Sequence, residues 1–151
     1  CRAEDLDRVQ VRYKEIGVSS QLSQFFGNMP EEISKSHLVI CRSGASSIAE
    51  LGVIGRPAVL VPLPHAIDND QKKNAESFER AGAGFVQDQN ALTPAVLADL
   101  LQQLLSSPQA LKEAAKAAVR HGKPDAAQKL ADLVERQIVR QGFHTTGDVK
   151  S

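Results

Sequence analysis

A run of small residues after a short apolar segment could hold a phosphate group. Leu38–Ile40 favours a buried strand, and Ser43-Gly44-Ala45-Ser46-Ser47 then begins a helix. The first N–H groups of a helix have no partner within it, and the helix dipole attracts anions, so such a start can bind phosphate. The same residues would also suit an ordinary tight turn from strand to helix with a serine cap.

A single acid, Glu50, lies one turn inside this helix. It follows Ser46 by four residues and Ser47 by three, and therefore shares their face of the helix. A carboxylate there could accept hydrogen bonds from ribose hydroxyls, so the segment could hold a nucleotide by its phosphate and its sugar. A solvated surface acid is the alternative interpretation.

A second polar group follows the next apolar segment. Ala58–Val61 is apolar throughout, as in a strand buried on both faces. Asp70 and Gln71 could then bind a sugar, because an amide both donates and accepts hydrogen bonds. A polar helix start capped by Asp68 is the alternative. His65 could contact a phosphate or act as a base, although a lone loop histidine more often does neither.

The elements around these residues alternate between strand and helix. Apolar and alternating segments predict strands over residues 18–26, 38–41, 58–61 and 84–87. Helical spacing and capping residues predict helices over 4–15, 46–54 (ended by Gly55) and 68–81, a short helix from Asn28, and helices starting near Thr93, Ser107 and Lys123. This alternation is typical of an α/β fold, a Rossmann-like parallel sheet flanked by helices.

Two loops leave the carboxyl ends of successive predicted strands, residues 42–47 and 62–71. Ligands of parallel sheets bind at this edge, so the loops should meet there if the two strands are close. We therefore expect four side chains within reach of one bound molecule: Glu50, Asp68, Asp70 and Gln71.

Composition limits the classes of function. The chain has 151 residues with 18 basic and 18 acidic side chains. Its formal net charge is therefore zero, which does not favour nucleic acid as a partner. Two cysteines make no disulfide framework and suit a reducing, cytoplasmic setting. No apolar run is long enough to span a bilayer. The sequence has no Cys/His metal cluster, nucleophile elbow or Walker lysine loop, so we expect neither a metal nor another cofactor.

Residues 34–51, Ser-Lys-Ser-His-Leu-Val-Ile-Cys-Arg-Ser-Gly-Ala-Ser-Ser-Ile-Ala-Glu-Leu, resemble the signature of the MurG-type transferases. Further blocks resemble the same family in order and spacing: Gly55–Ala58, Pro62–Ala66, Asp70–Ala75, Ala81–Ala83, Leu92–Pro94 and Pro124–Ala127. This family transfers N-acetylglucosamine from UDP-N-acetylglucosamine to the lipid-linked muramyl-pentapeptide of peptidoglycan synthesis, converting lipid I to lipid II.

The resemblance implies that the chain is the C-terminal, donor-binding domain of a two-domain (GT-B) glycosyltransferase. Residues 1–140 would form this domain, and residues 141–151 a flexible tail. The family's Gly-Gly-Ser loop has no counterpart here, so we expect the first βα unit and the N-terminal acceptor domain to be missing. A start at Cys1 without Met agrees with a fragment of a longer protein. The full-length protein would be the enzyme, and this chain alone would be inactive.

The resemblance also implies roles for matching residues. The turn that holds the donor's diphosphate corresponds to Ser43, Gly44, Ala45, Ser46, Ser47 and Ile48. Glu50 matches the acid that binds the ribose hydroxyls, and Gln71 matches the glutamine that contacts N-acetylglucosamine. Asp70 occupies a neighbouring site, where other members have glutamine or histidine, and Phe26 falls where a backbone group contacts uracil. The implied reaction is direct displacement with inversion, and the matching residues include no catalytic base and no metal ligand.

The implied partners divide between this chain and the missing domain. UDP-N-acetylglucosamine would bind here, whereas the lipid-linked acceptor and the membrane surface would bind the other domain. The whole enzyme would then be peripheral, at the cytoplasmic face of the bacterial inner membrane. Alternatively, the chain could bind a nucleotide sugar without turnover, as a fragment or as one subunit of a split transferase. It could also be the donor domain of a related nucleotide-sugar epimerase, although the Asp70–Ala75 block favours the MurG type.

Overall fold

The computed structural model describes residues 1–64 and 69–140, which divide into two compact units. The first unit, Cys1–Lys35, is helical: a 3₁₀ turn at Ala3–Asp5 leads into α1 (Leu6–Glu15), and α2 spans Met29–Lys35. The strand predicted over residues 18–26 is wrong, because none of the described residues of this unit forms a strand. The segment has the alternating pattern, but a lone strand has no neighbour to satisfy its backbone groups.

The second unit, from Ser36 onward, contains a parallel sheet of three strands: β1 (Val39–Cys41), β2 (Ala58–Leu60) and β3 (Gly84–Val86). The central strand is β2, where Ala58 pairs with Val39 on one side and Gly84 on the other. The helices are α3 (Ala45–Ile54), α4 (Asp70–Arg80), α5 (Pro94–Leu105), α6 (Pro108–His121) and α7 (Ala126–Arg140). The predicted α/β class and the parallel sheet are confirmed.

The central strand is buried on both faces. Ala58, Val59 and Leu60 have no exposed surface, as expected for a strand of a parallel sheet covered by helices. Phe78 of α4 and Leu51 of α3 are among the largest fully buried side chains. Burial of these anchors fixes the two helices that follow β1 and β2, and so fixes where their first turns lie.

Glycines set the end of α3 and its packing against α6. Gly55 has a left-handed backbone (φ 77°), and the N–H groups of Gly55 and Arg56 both donate to the Leu51 carbonyl at 2.9 Å. This is a common helix end, and it confirms the predicted stop at Gly55. Where α3 meets the end of α6, a Cβ added to Gly122 would lie 2.5 Å from the carbonyl carbon and oxygen of Gly52. The backbones therefore meet at a distance that only glycine permits.

The helices α5 and α6 begin in different ways. The Thr93 hydroxyl accepts a hydrogen bond from the Val96 N–H at 3.2 Å and so caps α5 as its sequence indicates. Ser107 precedes Pro108 in the same manner, but its side chain makes no capping hydrogen bond to α6. The proline alone marks that start, because its fixed φ suits the first turn.

Candidate functional site

Hydrogen bonds join the two predicted loops at the carboxyl edge of the sheet. The Arg42 guanidinium donates to the Val61 carbonyl at 2.9 Å. The Ser43 hydroxyl donates to the Gln71 carbonyl at 2.7 Å, and the Asn74 amide donates to the Ser43 carbonyl at 3.1 Å. The loops after β1 and β2 therefore lie together, as the parallel arrangement predicts.

The first turn of α3 presents backbone donors. Its N-cap residue, Gly44, has an extended backbone (φ −61°, ψ 152°), and its carbonyl accepts from the Ile48 N–H at 3.0 Å. No side chain caps the turn, so the alternative of a serine cap is wrong. Among the described parts of the chain, no hydrogen bond uses the N–H groups of Ala45, Ser46 or Ser47. Unpaired donors at a helix N-terminus are able to bind an anion.

The predicted phosphate contacts differ in what they can offer a ligand. Ser43 is fully buried, and its hydroxyl is already bound to α4, so it supports the turn from behind. Ile48 is 7% exposed and its N–H is used within the helix, which leaves it no free polar group. A Cβ added to Gly44 would meet no atom within 4 Å, so open space borders the turn. The free donors are those of Ala45–Ser47.

The predicted sugar-binding side chains lie on α3 and α4. Glu50 is exposed on α3, and no ion pair within the described residues involves it. Gln71 is half-buried, and its Oε1 accepts from the Leu63 N–H at 3.0 Å, which orients its amide nitrogen as the remaining donor. Asp70 is the exposed first residue of α4, where a carboxylate also suits the helix dipole.

Three other predicted residues belong either to the first unit or to the part of the chain that the structure does not describe. Phe26 belongs to the first unit, where it is half-buried and lines an open groove with Phe25 and Met29. Its backbone contact with uracil stays a prediction. His65 and Asp68 lie outside the described residues, and the described N-cap residue of α4 is Asn69, with a left-handed backbone (φ 56°) and no side-chain cap.

Other chemistries find no support near this edge. Burial raises the pKa of the Cys41 thiol, so at neutral pH it is protonated and a poor nucleophile. In residues 1–64 and 69–140, no group of three His, Cys, Asp or Glu side chains could hold a metal ion. None of the helices in those ranges is both long and apolar enough to cross a membrane.

Sequence reasoning missed Arg42 and Asn74, which hold the two loops together. Both lie inside segments that carry the family resemblance, 34–51 and 70–75, and this was the available signal. Their partners are 19 and 31 residues away along the chain, so local spacing could not reveal the contacts.

Comparison with known proteins gives the family. The sequence model of the glycosyltransferase family 28 C-terminal domain matches residues 1–130. The chain belongs to this family. It is 49% identical over 134 residues to the UDP-N-acetylglucosamine–N-acetylmuramyl-(pentapeptide) pyrophosphoryl-undecaprenol N-acetylglucosamine transferase of Rhodospirillum rubrum, covering 89% of this chain and 35% of that protein. The transferase of the same name from Allorhizobium ampelinum is 47% identical over 151 residues, 100% of this chain and 40% of the relative.

Solved structures agree with this assignment. The crystal structure of Acinetobacter baumannii MurG matches with a TM-score of 0.84 and 33% sequence identity, over 90% of this chain and 41% of that one. Spinosyn forosaminyltransferase SpnP, at 21% identity and a TM-score of 0.53, shares the fold. The 151-residue chain spans 35–40% of the length of these two curated relatives.

Proposed function

We propose that this chain is the donor-binding domain of an N-acetylglucosaminyltransferase that converts lipid I to lipid II in peptidoglycan synthesis. The observation that carries the proposal is the open first turn of α3, fixed beside Gln71 at the carboxyl edge of the sheet. The curated relatives named above are transferases of this kind at 47–49% identity. The expected donor is UDP-N-acetylglucosamine, which offers a diphosphate, a ribose and a sugar amide to these groups.

Each group has a defined task in the proposed reaction. The diphosphate binds the free N–H groups of Ala45–Ser47, which stabilise the negative charge that develops on UDP as it leaves. The Glu50 carboxylate accepts hydrogen bonds from the ribose hydroxyls. The Gln71 amide nitrogen donates to the sugar, because its oxygen is already held by Leu63. The acceptor hydroxyl attacks the anomeric carbon directly, with inversion; the bond from that carbon to UDP breaks, and the hydroxyl proton passes to a base outside this chain.

The acceptor side of the reaction is assigned to a part of the enzyme outside this chain. We expect no catalytic base among its residues. This chain spans 35–40% of the length of these relatives. The lipid-linked acceptor and the membrane would bind the part of the enzyme that corresponds to the rest of that length. The complete enzyme would then be peripheral at the cytoplasmic face of the inner membrane. For the 151-residue chain itself, the same partial span favours donor binding without turnover as a second candidate function.

Calorimetric titration with UDP and UDP-N-acetylglucosamine tests the proposal. Glu50→Ala should weaken binding by about 1.5–3 kcal/mol, the range for a hydrogen bond to a charged group, because the ribose loses its acceptor. Glu135→Ala, which removes an exposed acid of α7, is the matched control and should bind as the wild type does. A wild-type chain that is folded by circular dichroism yet binds neither nucleotide would contradict the proposal. Nucleotide binding that Glu50→Ala leaves unchanged would remove the ribose role alone.

A further inference from the structure

Two hydrogen bonds of opposite direction tie the residue before the α3 turn to α4. The Ser43 hydroxyl donates to the Gln71 carbonyl, and the Asn74 Nδ2 donates to the Ser43 carbonyl. Ser43 has no exposed surface and Asn74 is half-buried, so water competes little for these bonds. Gln71 and Asn74 are three residues apart on α4 and therefore share the face that meets the loop.

The bond from Asn74 satisfies the Ser43 carbonyl, which lies outside α3 because the backbone of Gly44 is extended. A helical carbonyl accepts from the N–H four residues ahead, but a bond from the Ser47 N–H to the Ser43 carbonyl would require Gly44 to leave its extended conformation (φ −61°, ψ 152°) for a helical one. At present the first such bond in α3 runs from the Ile48 N–H to the Gly44 carbonyl. By holding the Ser43 carbonyl in place, Asn74 favours the extended Gly44 backbone, with which α3 begins at Ala45 and the Ser47 N–H stays open.

We propose that Asn74 is a positioning residue for the phosphate-binding turn. It does not touch the ligand; it keeps the Ser47 donor free and fixes the turn against the helix that carries Gln71. This inference rests on the proposed function, because the open donor matters only if a diphosphate binds there.

Binding of UDP and of uridine, measured by NMR titration of the 151-residue chain, separates positioning from general support of the fold. Asn74→Ala should weaken UDP binding by up to about 10- to 150-fold, the effect of one hydrogen bond to a charged phosphate, and leave uridine binding unchanged because uridine lacks phosphate. Hydrogen exchange at the Ser47 amide should become slower in the variant, because Gly44 can then adopt helical angles that let this N–H bond to the Ser43 carbonyl. Asn74→Leu approximately keeps the volume of the side chain and loses the donor without adding a charge near the diphosphate, and it should weaken UDP binding as well.

Thr93→Ala is the matched control, since it removes one hydrogen bond at the cap of α5. It should lower the urea midpoint and leave the ratio of UDP to uridine affinity as in the wild type. Asn74 variants that bind UDP normally, or that lose UDP and uridine equally, overturn the positioning role. Failure of both Asn74 variants to fold does the same, in favour of a structural role. If the folded wild type binds uridine but not UDP, the proposed function fails first, and the inference fails with it.

Discussion

Gly44→Ala separates the space needed by a ligand from the space needed by the fold. The Gly44 backbone (φ −61°, ψ 152°) is accessible to alanine, and its added methyl would meet no atom within 4 Å. Alanine restricts the unfolded chain, which stabilises by about 0.4–1 kcal/mol, but it is a poorer N-cap than glycine by an amount of similar size. The free energy of unfolding should therefore stay within about 1 kcal/mol of the wild type.

Nucleotide binding should respond differently, because the methyl enters the space beside the free N–H groups of Ala45–Ser47. Loss of one hydrogen bond to a charged phosphate costs about 1.5–3 kcal/mol, or about 10- to 150-fold in affinity. Isothermal titration calorimetry with UDP measures this loss, urea denaturation checks the fold, and uridine serves as the ligand without phosphates. A folded Gly44→Ala chain that binds UDP as tightly as the wild type would refute the placement of the diphosphate against this turn.

Two further predictions concern the fold around the site. Gly122→Ala should lower the free energy of unfolding by about 1–3 kcal/mol in urea, since its Cβ would lie 2.5 Å from backbone atoms of Gly52; an unchanged urea midpoint would show that α6 can shift freely. Iodoacetamide should modify exposed Cys1 faster than Cys41 near neutral pH, because burial raises the Cys41 thiol pKa. Equal modification rates of the two cysteines, measured by mass spectrometry, would contradict this prediction. Because the folded state favours the protonated Cys41 thiol, the contribution of this thiol to the free energy of unfolding is present below its unfolded pKa and is lost as pH rises through its folded pKa.

Local signals in the sequence were sufficient for much of the fold. The all-apolar run at Ala58–Val61 predicts the buried central strand, Gly55 predicts the end of α3, and Thr93 predicts the cap of α5. Each of these features depends on neighbouring residues, so one sequence contains the information. The meeting of the two loops also follows, because parallel strands place their carboxyl ends at one edge.

Features that depend on distant partners were less accessible. The alternating residues 18–26 satisfy a strand pattern, but pairing requires a neighbour that the pattern cannot reveal. Ser43 matches a cap or a phosphate contact by type, yet its hydroxyl binds the Gln71 carbonyl 28 residues away. Asn74 gave no local signal either, since its partner is the Ser43 carbonyl, 31 residues away. For the nucleotide contacts themselves, residue types and the family resemblance supply predictions that binding experiments must test.

The contact between Gly52 and Gly122 fixes the orientation of α3 near its C-terminal end. Seven residues separate Gly52 from Ala45, a length of about 10 Å along a stiff helix. A side chain that pushed the backbones apart at Gly122 would tilt this helix and displace its opposite end, where the free donors lie. Substitutions at the end of α6, which supplies none of the predicted contacts, should thus alter nucleotide affinity by changing the orientation of α3.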